Sequence, residues 1–237
     1  MLNPLVKPKL TFAWNIFRRM KTQSWLTIVR QQRAIAVIRA PEFELGRQMA
    51  KAVAAGGMKL IEITWDSDRP AKLIHQLQLE LPDCTIGTGT VLTLEQLQDA
   101  IAAEVAFVFT PYVNVDLIRV AVDRDIPIIP GALTPTEIVT AWQAGASSVK
   151  VFPVQALGGA SYIRSLQAPI GQIPLIPTGG VTFENAPALI EAGAVAIGLA
   201  GSLFSKQAMQ SQNWAAITQQ AKTLIKLLNV LPLRNVI

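Results

Sequence analysis

Lys150 stands in Ser147-Ser148-Val149-Lys150-Val151-Phe152-Pro153 and Glu62 in Leu60-Ile61-Glu62-Ile63-Thr64, two apolar runs that read as buried strands, each interrupted by one charge. Desolvation disfavours an ammonium, and burial lowers a lysine pKa by as much as several units from ~10.4. The resulting free amine attacks carbonyls, which is the chemistry of an imine-forming enzyme. A glutamate facing it would relay protons, directly or through water. The plainer reading is structural. A strand-end lysine can reach its ammonium out to water, and a salt bridge between Lys150 and Glu62 needs no catalysis. Both readings predict that the two side chains lie close together.

Two glycine-rich turns have the composition of an anion cradle. Pro177-Thr178-Gly179-Gly180-Val181 and Gly198-Leu199-Ala200-Gly201-Ser202 each close an apolar run, where free backbone N–H groups can face a phosphate. Each glycine pair is equally well explained as a tight turn. Gly87-Thr88-Gly89-Thr90-Val91 lets backbone approach a ligand and offers the Thr90 hydroxyl. It lacks both the G-x-G-x-x-G spacing and the Gly-Lys-Ser/Thr of a P-loop, so no nicotinamide or ATP site is indicated. His75 is the one histidine. Its helical surroundings read as surface, and its isolation removes the His-rich sets of most zinc enzymes. No metal is expected.

These residues need elements to hold them. From residue 34 the chain alternates apolar, β-branched runs with amphipathic stretches. Eight runs stand out, at 34–39, 59–64, 84–87, 106–110, 127–130, 147–152, 173–177 and 194–198. Helical patterns between and after them include 44–55, 70–81, 94–103, 115–123, 135–144, 183–192 and, as the eighth helix, 212–228. Eight strand–helix units predict an α/β fold of the (β/α)8 TIM-barrel type rather than an open doubly wound sheet. In barrels the reactive groups sit at the C-terminal strand ends. Those ends carry Arg39, Glu62, Thr90, Pro111, Lys150 with Phe152, Thr178-Gly179-Gly180 and Gly201-Ser202, which would face one mouth.

The bulk properties agree with one large domain. Of 237 residues 51% are hydrophobic and 16% charged, with a mean hydropathy of +0.36, as expected of a parallel sheet covered on both faces. No run approaches the ~18–20 apolar residues of a spanning helix, so no membrane partner is expected. Cys84 is alone, which rules out an intramolecular disulfide and fits a cytoplasmic setting. The net charge is +5. Of the 21 basic residues, however, Lys7, Lys9, Arg18 and Arg19 precede Met20, leaving 17 against 16 acidic residues beyond it. A nearly neutral body argues against nucleic acid. Residues 1–33 are set apart as a basic, dispensable N-terminal extension that can cover the bottom of the barrel, and 34–237 as a single (β/α)8 catalytic domain.

In order and spacing the motifs resemble the class I 2-keto-3-deoxy-6-phosphogluconate (KDPG) and 4-hydroxy-2-oxoglutarate (KHG) aldolase family. The resemblance covers about residues 34–204. It rests on Ala36-Val37-Ile38-Arg39, on Gly56-Gly57 leading to Ile61-Glu62-Ile63-Thr64, on Gly87-Thr88-Gly89-Thr90-Val91, and on Thr110-Pro111. It continues through Ile129-Pro130-Gly131, Thr134-Pro135-Thr136-Glu137, Lys150-Val151-Phe152-Pro153 and Pro177-Thr178-Gly179-Gly180-Val181. It implies a Schiff-base aldolase that cleaves a 2-keto-4-hydroxy acid to pyruvate and an aldehyde, with a covalent imine at Lys150 and no cofactor. Lys150 matches the imine-forming lysine and Glu62 the general acid/base. Thr90 matches a contact to the pyruvyl carboxylate, and Pro111 and Phe152 match pocket walls. Arg39 matches a residue for an anionic end of the substrate. Thr178, Gly179, Gly180, Gly201 and Ser202 fall at the phosphate site, and a homotrimer is implied.

The chain departs from the family at Asp66, where phosphogluconate-specific members carry an arginine that contacts the carboxylate. An acid there repels a carboxylate at close range. Other members carry Thr or Asn, so the chemistry survives the change. Arg69 is the candidate to compensate by reaching back. Two rival readings remain. One is another phosphate-binding barrel enzyme, an isomerase or synthase, which shares the glycine loops but has no need of Lys150 facing Glu62. The other is a non-catalytic barrel that binds a phosphorylated keto acid as a sensor.

Overall fold

The computed structural model describes residues 24–232; the basic segment with Lys7, Lys9, Arg18 and Arg19 lies outside the described residues. A helix, α1 (24–32), leads into β1 (Ala34–Ile38), α2 (Phe43–Ala55), β2 (Leu60–Thr64), α3 (Pro70–Glu80), β3 (Thr85–Gly89) and α4 (Leu94–Ala102). Then follow β4 (Val108–Phe109), α5 (Val115–Asp123), β5 (Ile128–Ile129), β6 (Gly131–Ala132), α6 (Pro135–Gln143) and β7 (Val149–Val151). The rest is a 3-10 turn (Val154–Leu157), α7 (Ala160–Ile170), β8 (Leu175–Pro177), α8 (Ala186–Glu191), β9 (Ile197–Leu199), α9 (Lys206–Gln210) and α10 (Trp214–Asn229). Polar side chains start several helices. At α6 Thr134 and Glu137 form a reciprocal capping box, which satisfies N–H groups that the helix itself cannot.

The hydrogen-bond ladders correct the expectation of an unbroken eight-stranded barrel. Every ladder is parallel, but six strands form one curled sheet in the order β5-β4-β3-β2-β1-β9, a half-barrel, and β6-β7-β8 form a second ladder. The fifth run, expected as one strand over 127–130, divides at Pro130 because proline has no N–H to give to a ladder. Between β8 and β9 the pairing is a single bridge, Thr178 with Gly198.

Side-chain alternation sorts the strands into two cores. Residues such as Ile61, Ile63, Val149, Val151 and Leu175 pack outward against the helices. The alternate positions Ile35, Leu60, Phe107, Phe109, Ile129, Ile176 and Ala196 pack inward on one another. Trp25 and Val29 of α1 complete this inner core. The Trp25 ring lies 5.0 Å from that of Phe107, and its Nε1 donates to Ser148 Oγ at 3.1 Å. Residues 24–32, assigned from composition to the extension, therefore pack as part of the folded unit. Arg33 fastens this entry to the end of α10, donating from Nη1 to the carbonyls of Leu228 at 2.7 Å and Leu231 at 2.8 Å.

Trp25 is 3% exposed. Trp25→Ala is therefore expected to cost about 3–5 kcal/mol of stability, as large buried aromatics do. Leu79→Ala, on a side chain 67% exposed, should stay within roughly 0.5 kcal/mol. Urea unfolding monitored by circular dichroism checks both, and equal midpoints for the two variants would show that α1 does not stabilise the inner core.

Candidate active site

The alternation that points Leu60 into the inner core points Glu62 the same way, two residues further along β2, and Ser148 is followed likewise by Lys150 on β7. Glu62 sits in register between Val37 and Gly87, and Lys150 between Gly131 and Ile176. Both lie one layer above the apolar floor. Glu62 is 2% exposed and Lys150 7%. The Lys150 ammonium nitrogen lies 4.7 Å from the centre of the Phe152 ring and 5.9 Å from that of Phe109. The Glu62 carboxylate fills the space that a Cβ on Gly89 would need, so any larger residue at 89 would displace it.

Among the described residues no hydrogen bond or ion pair within 4.0 Å joins Lys150 to Glu62; they act on each other through space. Burial pushes the Lys150 pKa down from its ordinary value, the Glu62 charge opposes that shift, and the Arg39 charge adds to it. Burial pushes Glu62 up, against the attraction of Lys150 and Arg39 and with the repulsion of Asp66. Each group is biased toward its neutral form by the same lack of water. A free amine beside a protonatable carboxyl is equipped to add to a carbonyl and to move protons.

The rim is built from the ends of β1, β2 and β3. Arg39 Nε lies between the two Asp66 carboxylate oxygens, at 3.1 and 2.9 Å, and its Nη2 donates to Thr90 Oγ1 at 3.2 Å. Thr90 has φ +59°, a left-handed backbone that a β-branched residue adopts only under constraint. Asp66 thus faces an arginine already in the site, which the sequence reading overlooked although Arg39 and Asp66 close neighbouring strands. Arg69 does not reach back: it pairs with Asp68 at 2.8 Å and its guanidinium covers the Phe43 ring at 5.0 Å. Pro111 lies against Gly131, the register neighbour of Lys150, while Phe152 covers Lys150 and borders Gly179.

The glycine loops lie beyond Phe152. Gly179 and Gly180 have φ of +85° and +80°, values open to glycine, and Cβ atoms there would meet Phe152, Pro153 and Gln155. Among the described residues no partner takes the amides of Gly180, Gly201 or Ser202. Ser202 Oγ donates to Val181 O at 3.0 Å, tying the two loops together. Thr178 is less free, since its amide donates to Val151 O at 2.9 Å. Among the described residues no group of His, Cys, Asp and Glu is placed to hold a metal ion, and no helix is long and apolar enough to cross a membrane. His75 lines a separate surface cleft of about 820 Å³ between α3 and α4, which contains none of these site residues.

Comparison with known proteins gives a consistent result. The family of KDPG and KHG aldolases matches residues 26–220. The 2-dehydro-3-deoxy-phosphogluconate aldolase of Haemophilus influenzae is 32% identical over 208 residues, spanning 87% of this chain and 98% of that protein. The solved structure of native KDPGal is similar with a TM-score of 0.76 at 31% identity, over 83% of this chain and 94% of that one. The KDPG aldolase of Legionella pneumophila, in which pyruvate was captured at low pH as a covalent carbinolamine, is similar with a TM-score of 0.78 at 27% identity, over 84% and 97%.

The lowered Lys150 pKa has a measurable sign. Lys150 is expected to react with an amine-directed reagent at a lower pH than surface lysines near pKa ~10.4 do. Glu62→Gln removes the charge that favours the ammonium, so the pH at which reactivity is lost should move downward. Residue-resolved mass spectrometry across a pH series reads this, and an upward move would contradict the electrostatic account.

Proposed function

The chain belongs to the KDPG and KHG aldolase family, and we propose that it is a Schiff-base lyase whose Lys150 and Glu62 carry out the cleavage of a 2-keto-4-hydroxy acid to pyruvate and an aldehyde. With KDPG the aldehyde is glyceraldehyde 3-phosphate, and with KHG it is glyoxylate. One observation carries the reading. Lys150 is buried in the same mouth as Glu62 and, among the described residues, has no ion pair that would spend its nucleophilicity.

The cycle follows from the chemistry of the two groups. The Lys150 lone pair adds to the substrate C2 carbonyl, and the carbinolamine, protonated on its hydroxyl by the Glu62 carboxyl, loses water to give a protonated imine and leaves Glu62 as the carboxylate. Glu62 accepts the C4 hydroxyl proton as the C3–C4 bond breaks, and the bonding pair flows into the imine. The aldehyde departs, leaving the enamine of pyruvate on Lys150. Protonation at C3 and addition of water release pyruvate and regenerate the amine. The iminium is the electron sink, so the cycle needs no cofactor. Phe152 and Pro111 wall the pyruvyl carbons, and Thr90 and Arg39 face the carboxylate.

The loop glycines Gly179, Gly180 and Gly201, with Ser202, receive the distal phosphate. The amides of Gly180, Gly201 and Ser202, without partners among the described residues, support this role; Thr178 contributes by shaping the turn. The same reading includes a closed (β/α)8 barrel, supported by the Pro130 carbonyl accepting from Lys150 N at 2.9 Å and by the Thr178–Gly198 bridge. It also includes a homotrimer, as family membership implies, and a cytoplasmic enzyme, in keeping with the single cysteine. We confine the dispensable part of the N-terminal segment to residues before 24, since Trp25 and Val29 are core residues. A different phosphate-binding barrel enzyme has no use for a desolvated lysine facing a glutamate, and a keto-acid sensor would bind a panel of keto acids without turning them over.

Borohydride reduction in the presence of pyruvate should label Lys150, and Lys150→Ala should abolish both labelling and turnover. Glu62→Gln should keep the label while slowing turnover by about 10²–10⁴-fold. Absence of a label on Lys150 in the wild-type chain would refute the Schiff-base reading. In a steady-state comparison of KDPG, its galactonate epimer and KHG, one of the phosphorylated acids should lead in kcat/KM by at least roughly tenfold, as charge-assisted bonds to phosphate provide. Equal values would remove the cradle from the account.

A further inference from the structure

Asp66 sits on a turn that the fold holds still. Trp65 N donates to Gly89 O at 2.7 Å, Ser67 N to Thr64 O at 2.9 Å, and Asp68 N to Ala40 O at 2.9 Å, so the turn is clipped to the ends of β1 and β3. Ser67 Oγ accepts from Ala40 N at 3.1 Å and bonds to the buried Thr64 hydroxyl at 3.2 Å. From this fixed turn the Asp66 carboxylate grips Arg39 at Nε with both oxygens. The Arg39 and Asp66 side chains are 62% and 50% exposed. Exposed pairs contribute little to stability, so the consequence of this one lies in where it points the guanidinium.

A guanidinium has two donating edges. Asp66 occupies Nε, Thr90 Oγ1 takes one Nη2 bond, and Nη1 has no partner among the described residues. In a 2-keto acid the carboxylate is bonded to the carbon that Lys150 attacks. The charges acting on Lys150 are those of Glu62 and Arg39, and only Arg39 has the sign to hold a carboxylate. We propose that Asp66 is a positioning residue: it holds Arg39 by Nε and so turns the remaining guanidinium edge, with the Thr90 hydroxyl, toward the carboxylate of a keto acid bound at Lys150. The acid at position 66 thereby assists carboxylate binding through its neighbour and does not repel the substrate. This inference rests on the Schiff-base reading above.

The test is the dependence of borohydride trapping on pyruvate concentration in the full-length chain. Asp66→Ala is expected to raise the half-saturating pyruvate about tenfold or more while the maximal trapping rate stays within about twofold, the signature of lost ground-state binding. Asp66→Asn, which still accepts from Nε, should restore most of the affinity. In an Arg39→Ala background Asp66→Ala should add nothing, because Asp66 acts only through Arg39. An unchanged or lowered half-saturation in Asp66→Ala, or full additivity with Arg39→Ala, overturns the inference and leaves the imine chemistry standing. No trapping in the wild-type chain removes the Schiff-base reading and this inference with it.

Discussion

Everything at the mouth depends on water being kept from two ionisable groups at once. An ammonium and a carboxylate taken out of water each lose hydration worth several kcal/mol, and the usual remedy is a tight ion pair. Here no such pair forms among the described residues, and desolvation bears on the protonation states themselves. Burial moves Lys150 down and Glu62 up, so their proton affinities lie closer together than those of the free side chains. That condition requires an apolar surround. The Phe109 and Phe152 rings beside Lys150 supply it from the side, and the Trp25-Phe107-Phe109 cluster supplies it from below.

The floor and the site are therefore one piece of physics. Trp25 brings its indole N–H to Ser148, two residues before Lys150 on the same strand, so the helix that closes the bottom also fixes the run that carries the nucleophile. On the opposite wall the absence of a side chain is what matters. Gly89 leaves room for the Glu62 carboxylate, and Gly87 leaves room for the Phe107 ring. Alternate positions of β3 thus serve the site and the floor in turn.

Lys150 and Glu62 were legible in the sequence because each breaks an apolar run, and a charge inside a strand is conspicuous against a period of two. The alternation of β-branched runs with amphipathic stretches was legible for the same reason, although the eight runs expected form nine strands in two ladders. What the pattern could not supply was the state of each ladder. Pro130 looks like the edge of one strand, and only backbone pairing reveals that it divides β5 from β6. Helix α1 was hidden by composition, because basic residues upstream drew attention from the two apolar side chains, Trp25 and Val29, that enter the core. The α7 segment was masked by Gly158-Gly159 before it and Pro169 within it. Asp66 was conspicuous, yet its partner was misjudged. Arg69 is close in sequence, but its side chain turns to Asp68, while Arg39 is distant in sequence and one strand away.

The difference in exposure between rim and mouth also divides the molecule by how freely its parts can drift. Lys150, Glu62 and Gly89 are locked by volume and desolvation, so a change at any of them disturbs the neighbours that enclose it. Arg39 and Asp66 stand at the surface, where substitution leaves the floor intact, alters what the entrance favours and changes the charge that Lys150 and Glu62 feel. A lineage could exchange residues at 39 and 66 repeatedly, retuning the acids it accepts, without ever passing through an unfolded ancestor.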